Sequence, residues 1–166
     1  MKSHVLFLLF GLWFATSPAQ LVQTTGALNT LRSTHQSQVL QSGQVLAFGG
    51  QNGGVLASAE LYDPSTGQWK ATESMQQPRS QFASAILDNG QVLAIGGSDG
   101  NAETNTCELF DPASETWSST GSLSINTSFV SAVKLLDGRV LMNYLTTCEI
   151  YHPDSAAWFP AASLST

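Results

Sequence analysis

Charge is what this chain has least of. Only 11% of its 166 residues are Asp, Glu, Lys or Arg, less than half of the roughly 25% usual in a soluble domain. The 6 basic residues are outnumbered by 12 acidic ones. Beyond Lys2 the basic residues are scattered: Arg32, Lys70, Arg79, Lys134 and Arg139. Nucleic acid and anionic membrane are therefore not expected as partners, because phosphate binding needs basic residues concentrated on one surface. The scattered cations read as solubilising charges. With 2 cysteines, a scaffold stapled by several disulfides is excluded as well. Also missing are a nucleophile elbow, a Gly-rich phosphate loop opening a helix and a His-Glu metal motif.

Long apolar runs are missing too, except at the N-terminus. Lys2 is followed by the apolar stretch Val5–Phe14 and then by Ala15-Thr16-Ser17-Pro18-Ala19. A positive residue, a short apolar core and small residues are the signature of a secretory signal peptide. We expect it to span 1–19, with Ser17 and Ala19 at the small-residue positions before cleavage at Gln20. An uncleaved anchor is the rival, but the run falls short of the ~20 residues of a membrane span. The expected mature region, 20–166, is soluble, secreted and free of the membrane, with 12 acidic against 5 basic residues, a net charge of −7.

What the chain does have is one phrase written three times. Gly43-Gln44-Val45-Leu46-Ala47-Phe48-Gly49-Gly50 is followed by Ala59-Glu60-Leu61-Tyr62-Asp63-Pro64 and Trp69. It returns as Gly90-Gln91-Val92-Leu93-Ala94-Ile95-Gly96-Gly97, Cys107-Glu108-Leu109-Phe110-Asp111-Pro112 and Trp117. A worn third copy reads Gly138-Arg139-Val140-Leu141-Met142, Cys148-Glu149-Ile150-Tyr151-His152-Pro153 and Trp158. From Gly43 to Gly90 to Gly138 the steps are 47 and 48 residues. A period of this length marks one supersecondary unit stacked on copies of itself.

Each copy reads as four short strands. In the second, Phe82–Leu87 is the first strand and Asp88-Asn89-Gly90 a tight turn, since Asn-Gly accepts the positive φ of a short hairpin. Val92–Ile95 is the second strand, apolar on both faces as a strand between two layers should be. Cys107–Phe110 is the third. Asp111-Pro112 opens a turn, and Trp117 begins the fourth. Tyr62, Phe110 and Tyr151, with Trp69, Trp117 and Trp158, supply bulk between neighbouring units. Thr25-Gly26-Ala27-Leu28 echoes Thr120-Gly121-Ser122-Leu123, so Leu21–Leu28 reads as an extra N-terminal strand.

Four-stranded units near 48 residues, with Gly-Gly after the second strand and a Tyr/Phe and Trp pair beyond it, resemble the kelch repeat. Galactose-oxidase-like propeller domains look similar. The resemblance runs from about Arg32 to the C-terminus. It implies an all-β, partial kelch-type β-propeller of three four-stranded blades, approximately 32–72, 79–120 and 127–162, plus the N-terminal strand. Copy three departs: Tyr144-Leu145 replace Gly-Gly, His152 replaces Asp, and the loop between the second and third strands shrinks to Thr146-Thr147. Propellers use 4–8 blades, so the chain reads as the front part of a longer protein. The alternative is that two copies pair edge to edge and close a six-bladed ring. Bare blade faces imply self-association in either case.

The resemblance also implies a function, an interaction module whose loops bind an unidentified protein or glycan. It nominates Gln51–Ser58 and Ser98–Thr106, with Lys70–Arg79 as a second loop type. The other reading is the front part of a secreted copper-radical oxidase with its ligands on later blades. Here no ligand set is recognisable. His35 aligns with Phe82 and Val130 and reads as a packed residue, and His152 as a solvated turn residue. Tyr62 and Tyr151 are committed to repeat positions. Asp99 with Glu103 lacks EF-hand spacing and reads as a solvated loop. No catalytic, metal or cofactor residue is assigned, and no enzymatic activity is expected of the chain by itself. Cys107 and Cys148 fall at equivalent positions, which blade geometry keeps beyond disulfide reach, so they read as free buried thiols. Asn126-Thr127-Ser128 is a glycosylation sequon with Asn126 exposed in a loop, and Asn105-Thr106-Cys107 is an atypical one.

Overall fold

The computed structural model describes residues 25–162. The expected signal peptide, and the first half of the expected N-terminal strand, lie outside the described residues. Twelve strands and no helix make up the described chain. Blade one holds β1 (Gln36–Val39), β2 (Val45–Phe48), β3 (Ala59–Asp63) and β4 (Gln68–Thr72). Blade two holds β5 (Ala83–Ile86), β6 (Val92–Ile95), β7 (Cys107–Asp111) and β8 (Thr116–Thr120). Blade three holds β9 (Ser131–Lys134), β10 (Val140–Tyr144), β11 (Thr147–His152) and β12 (Ala157–Pro160). Each blade is an antiparallel meander in strand order. The registers repeat as well: Val45 pairs with Tyr62, Val92 with Phe110 and Val140 with Tyr151.

The period of two along a strand turns each sheet into a two-sided wedge. In β6, Val92 and Ala94 join a core with Leu46, Phe48 and Leu61 of blade one. Leu93 and Ile95, alternating with them, join a core with Val140, Met142 and Tyr151 of blade three. Blade two is thus buried on both faces, and the first strands line up along one edge, with β5 between β1 and β9. This is a partial β-propeller.

The aromatic pairs face backward, toward the preceding blade. Tyr62–Trp69, Phe110–Trp117 and Tyr151–Trp158 have ring centroids 5.2, 5.1 and 5.2 Å apart. Trp117 reaches Phe48 of blade one at 5.2 Å and is buried between the blades. Trp69 is not. It lies on the face of blade one turned away from blade two, only half-buried. Its cover is the segment before β1, where the Trp69 Nε1–H donates to the Gly26 carbonyl at 3.1 Å. Of the expected extra strand, Leu21–Leu28, the described residues 25–28 form no strand. The Gly26 N–H donates to the Gly67 carbonyl, and the amides of Asn29 and Thr30 donate to the Glu60 carboxylate. The Gly26 donor is thus spent on a turn carbonyl rather than on a ladder.

Candidate binding face

The loops after β2 and β6 begin at Gly-Gly because no other residue fits. Gly96 and Gly97 have φ of 58° and 102°. A Cβ on Gly97 would stand 2.7 Å from the Phe82 Cβ. The chain therefore leaves the strand abruptly, and a buried arginine ties the two ends of the loop together. Arg79 Nη1 donates to the Gly96 carbonyl at 2.8 Å and the Thr106 carbonyl at 2.9 Å. Its Nη2 bonds Glu108 at 2.6 Å. Arg32 does the same in blade one, reaching Gly49 and Ser58 carbonyls at 2.8 and 2.9 Å and Glu60 at 2.8 Å.

Both guanidinium side chains are 0% exposed, so they are not the solubilising charges that their scatter implied. The planar five-donor fork of arginine suits three acceptors at once. Each carboxylate also receives two backbone N–H groups, from Asn29 and Thr30 at Glu60 and from Gln76 and Gln77 at Glu108. Burial pushes the Glu60 carboxyl up, but the Arg32 guanidinium and those two amides outweigh it and hold the group below its usual value. The signal for this device was present in the sequence. Arg32 to Arg79 is 47 residues and Glu60 to Glu108 is 48, the period of the repeat itself.

Blade three dispenses with the whole device. Thr127 stands at the arginine position. Tyr144 pairs directly with Thr147 across the two-residue turn Leu145-Thr146, one residue earlier than the expected Thr146-Thr147. Glu149 stays buried and, among the described residues, accepts from the amide and hydroxyl of Ser124. With no long loop to hold, neither the glycine pair nor the arginine has a task.

The two clamped loops stand side by side. Gln51–Val55 of one and Asp99–Asn101 of the other, with Ser33, frame an open groove of about 780 Å³. Two of the three nominated segments therefore meet. The third does not join them: Lys70 pairs with Glu115 at 2.9 Å, the Gln76 and Gln77 amides serve Glu108, and Arg79 is buried. Asp99 in the groove wall accepts the Ala102 and Asn101 amides at 2.8 Å each, which hold its carboxyl below the usual range. Glu103 instead accepts from Ser128.

The remaining candidates are dispersed. His35 is half-buried, and burial and the Arg32 charge lower its pKa. His152 meets Phe159 edge-on at 4.9 Å. The Tyr62 and Tyr151 hydroxyls bond Thr25 and Thr120. Among the described residues, no three of His, Cys, Asp and Glu gather as metal ligands do. Cys107 and Cys148 are buried free thiols, and burial pushes Cys107 up to about 11. Asn126 is exposed, while Thr127 beside it is buried.

A family model described as the kelch motif matches residues 39–76 and 78–124, just over half of the chain. The chain belongs to the kelch-repeat family. A search of curated proteins gives no match. The matched residues cover most of blades one and two. The third kelch blade, which has lost Gly-Gly, loop and arginine together, lies beyond the match yet keeps the same strand order and register.

Proposed function

We propose that this kelch protein is a secreted interaction scaffold whose binding face is the groove between the second-to-third-strand loops of blades one and two. The single observation that carries the reading is that these two loops converge on one open groove, each anchored at its neck by a buried arginine. Anchoring holds the exposed tips in place, so a partner does not have to order them on binding.

The lining favours an extended protein segment over a glycan. Gln51, Asn52 and Asn101 offer side-chain amides that both donate and accept, matching a backbone's N–H and C=O groups. Asp99 adds a negative charge that suits a basic residue. No aromatic side chain lines the groove to stack a sugar ring. Secretion rests on the N-terminal 1–19 pattern, and the exposed Asn126 is the expected glycan acceptor.

The test is a peptide array and a glycan array, probed with protein collected from a eukaryotic secretory host. Basic peptides should bind. Gln51→Ala with Asn52→Ala and Asn101→Ala should abolish that binding without moving the melting temperature. Binding that survives these changes, or confined to glycans, sinks the peptide reading. Protein retained inside the host with residues 1–19 uncleaved sinks the secreted one.

A further inference from the structure

We propose that two copies of this chain join head to tail, blade three of each on blade one of the other, and close a six-bladed ring. The inference goes beyond the groove reading and does not depend on it. It rests on a joint the chain builds twice internally, whose complementary halves stand exposed on blades three and one among the described residues.

The first element of the joint lies at the hairpin tips. Gln41 of blade one leans on blade two, where a Cβ on Gly90 would meet its side chain at 3.2 Å. Asp88, the equivalent of Gln41 in blade two, leans on Gly138 of blade three in the same way, at 2.6 Å. Leu136 is the equivalent in blade three, and it is fully exposed. Its counterpart socket is Gly43 of blade one, and nothing stands within 4 Å of a Cβ there.

The second element lies on the outer strands. Lys70 of β4 reaches forward to Glu115 of blade two. Its equivalent in blade three is Phe159, 46% exposed. The equivalent of Glu115 in blade one is Gly67, whose carbonyl the Gly26 N–H before β1 already takes.

The third element lies on the inner strands. Ile86 faces backward and packs into the core between blades one and two. Val39, its equivalent in blade one, is 64% exposed. On the forward face of blade three Val133 is 54% exposed.

The backbone tells the same story. The Gln81 N–H donates to the Thr34 carbonyl, and the Phe129 N–H to the Gln81 carbonyl. All three residues sit at positive φ, between 52° and 55°, a conformation that bulky side chains adopt only when the surroundings hold them. This chain of bonds stops with the Phe129 carbonyl and the Thr34 N–H unpaired among the described residues. A further blade would supply both partners.

Polar residues at forward positions of blades one and two, Gln41, Asp88, Lys70 and Ser118, become Leu136 and Phe159 in blade three. A surface that gains apolar side chains where its siblings carry polar ones is a covered surface. A second copy is the occupant that presents the matching socket Gly43 together with the backward-facing, exposed Val39. Such a joint is heterologous, and it closes when the rotation allows. Two copies give six blades, inside the range of known propellers.

Analytical ultracentrifugation of the secreted full chain tests this. The wild type should sediment at twice the chain mass. Leu136→Asp with Phe159→Lys damages the forward face, and Val39→Lys the backward face. Each variant should weaken pairing by at least about tenfold, as the loss of a central anchor does, while circular dichroism keeps its β signature. Mixing the two variants should restore association, because each retains the one good face that the other lacks. A wild-type monomer, or an open series of larger polymers, overturns the closed pair. So does a Val39→Lys variant that pairs normally, since blade three would then meet its own copy, or a mixture that stays monomeric. Groove variants should leave the mass unchanged, which separates failure here from failure of the binding-face reading.

Discussion

Arg79 shows how much one buried side chain can hold. Its backbone carbonyl accepts the Gly50 N–H of blade one, while its guanidinium closes the loop of blade two. Its residue type concealed this, because arginine is almost never fully buried unless paired; the repeat spacing of arginine and glutamate together was the legible clue. Glu60 makes the pairing measurable. Its folded pKa lies below the ordinary 4.5, so its contribution is fully present above that pH and is lost as pH falls toward the folded value. The wild type should lose melting temperature as the buffer drops below 4.5. Glu60→Gln should start lower at neutral pH and show a shallower acid decline. Parallel acid limbs in the two proteins would mean that Glu60 carries no such linkage. Trp117 and Trp69 make a second residue-scale contrast. Trp117 fills the space between two blades, and truncating it to Ala should cost ~3–5 kcal/mol, as for other buried aromatics. Trp69 is half-exposed under a single strap, so Trp69→Ala should cost less than half of that. Denaturant melts of both variants decide it, and equal losses would show that the strap covers Trp69 as well as a blade would.

At the scale of the element, strands were the most legible part of this sequence. Val92–Ile95 appears with the expected ends, because Asn-Gly stops the chain before it and Gly-Gly after it. The stretch before β1 misled because it echoes Thr120–Leu123, of which only Thr120 belongs to β8 and the rest are a linker. Gly121, like Gly26, donates its N–H to a turn carbonyl, that of Ala156. The similarity was real, and over the described residues 25–28 it marked a strap rather than a strand. The loops were legible as loops, but their convergence on a groove was not, since it depends on the packing of two blades. Blade three supplies the control experiment for the clamp. Replacing the loop Ser98–Thr106 by a two-residue turn like Leu145-Thr146 removes one of the two carbonyls that Arg79 holds, that of Thr106. With Arg79 kept, a buried guanidinium still paired with Glu108 loses an acceptor, a defect worth ~1–3 kcal/mol. With Arg79→Thr added, the blade takes the arrangement that Thr127 already occupies, and most of that loss should return. The double variant should therefore be more stable than the loop variant alone, a coupling that a double-mutant cycle in urea reads directly. Additive losses would show that loop and arginine are independent.

Across the whole molecule, stability should follow the number of neighbours each blade has. In stacked repeats a unit is held by its own fold and by its interfaces with adjacent units. Blade two has an apolar core on both sides, and all four residues of β6 are buried. In β9 three of the four residues are exposed, and in β12 Phe159 and Pro160 face solvent. Amide exchange samples local opening, which is slowest where buried contacts are densest. In the Leu136→Asp, Phe159→Lys variant, exchange should be slowest in β6 and β7 and fastest in β9 and β12. The wild type differs only if blade three is covered, so a head-to-tail pair should slow β9 and β12 selectively and leave β6 unchanged. Blade one should gain protection in β1 at the same time, because Val39 and the Thr34 amide lie on the other half of the joint. Slowing confined to blade three would assign its face to a different partner. Equal exchange in wild type and variant would show that both terminal faces stand open in solution.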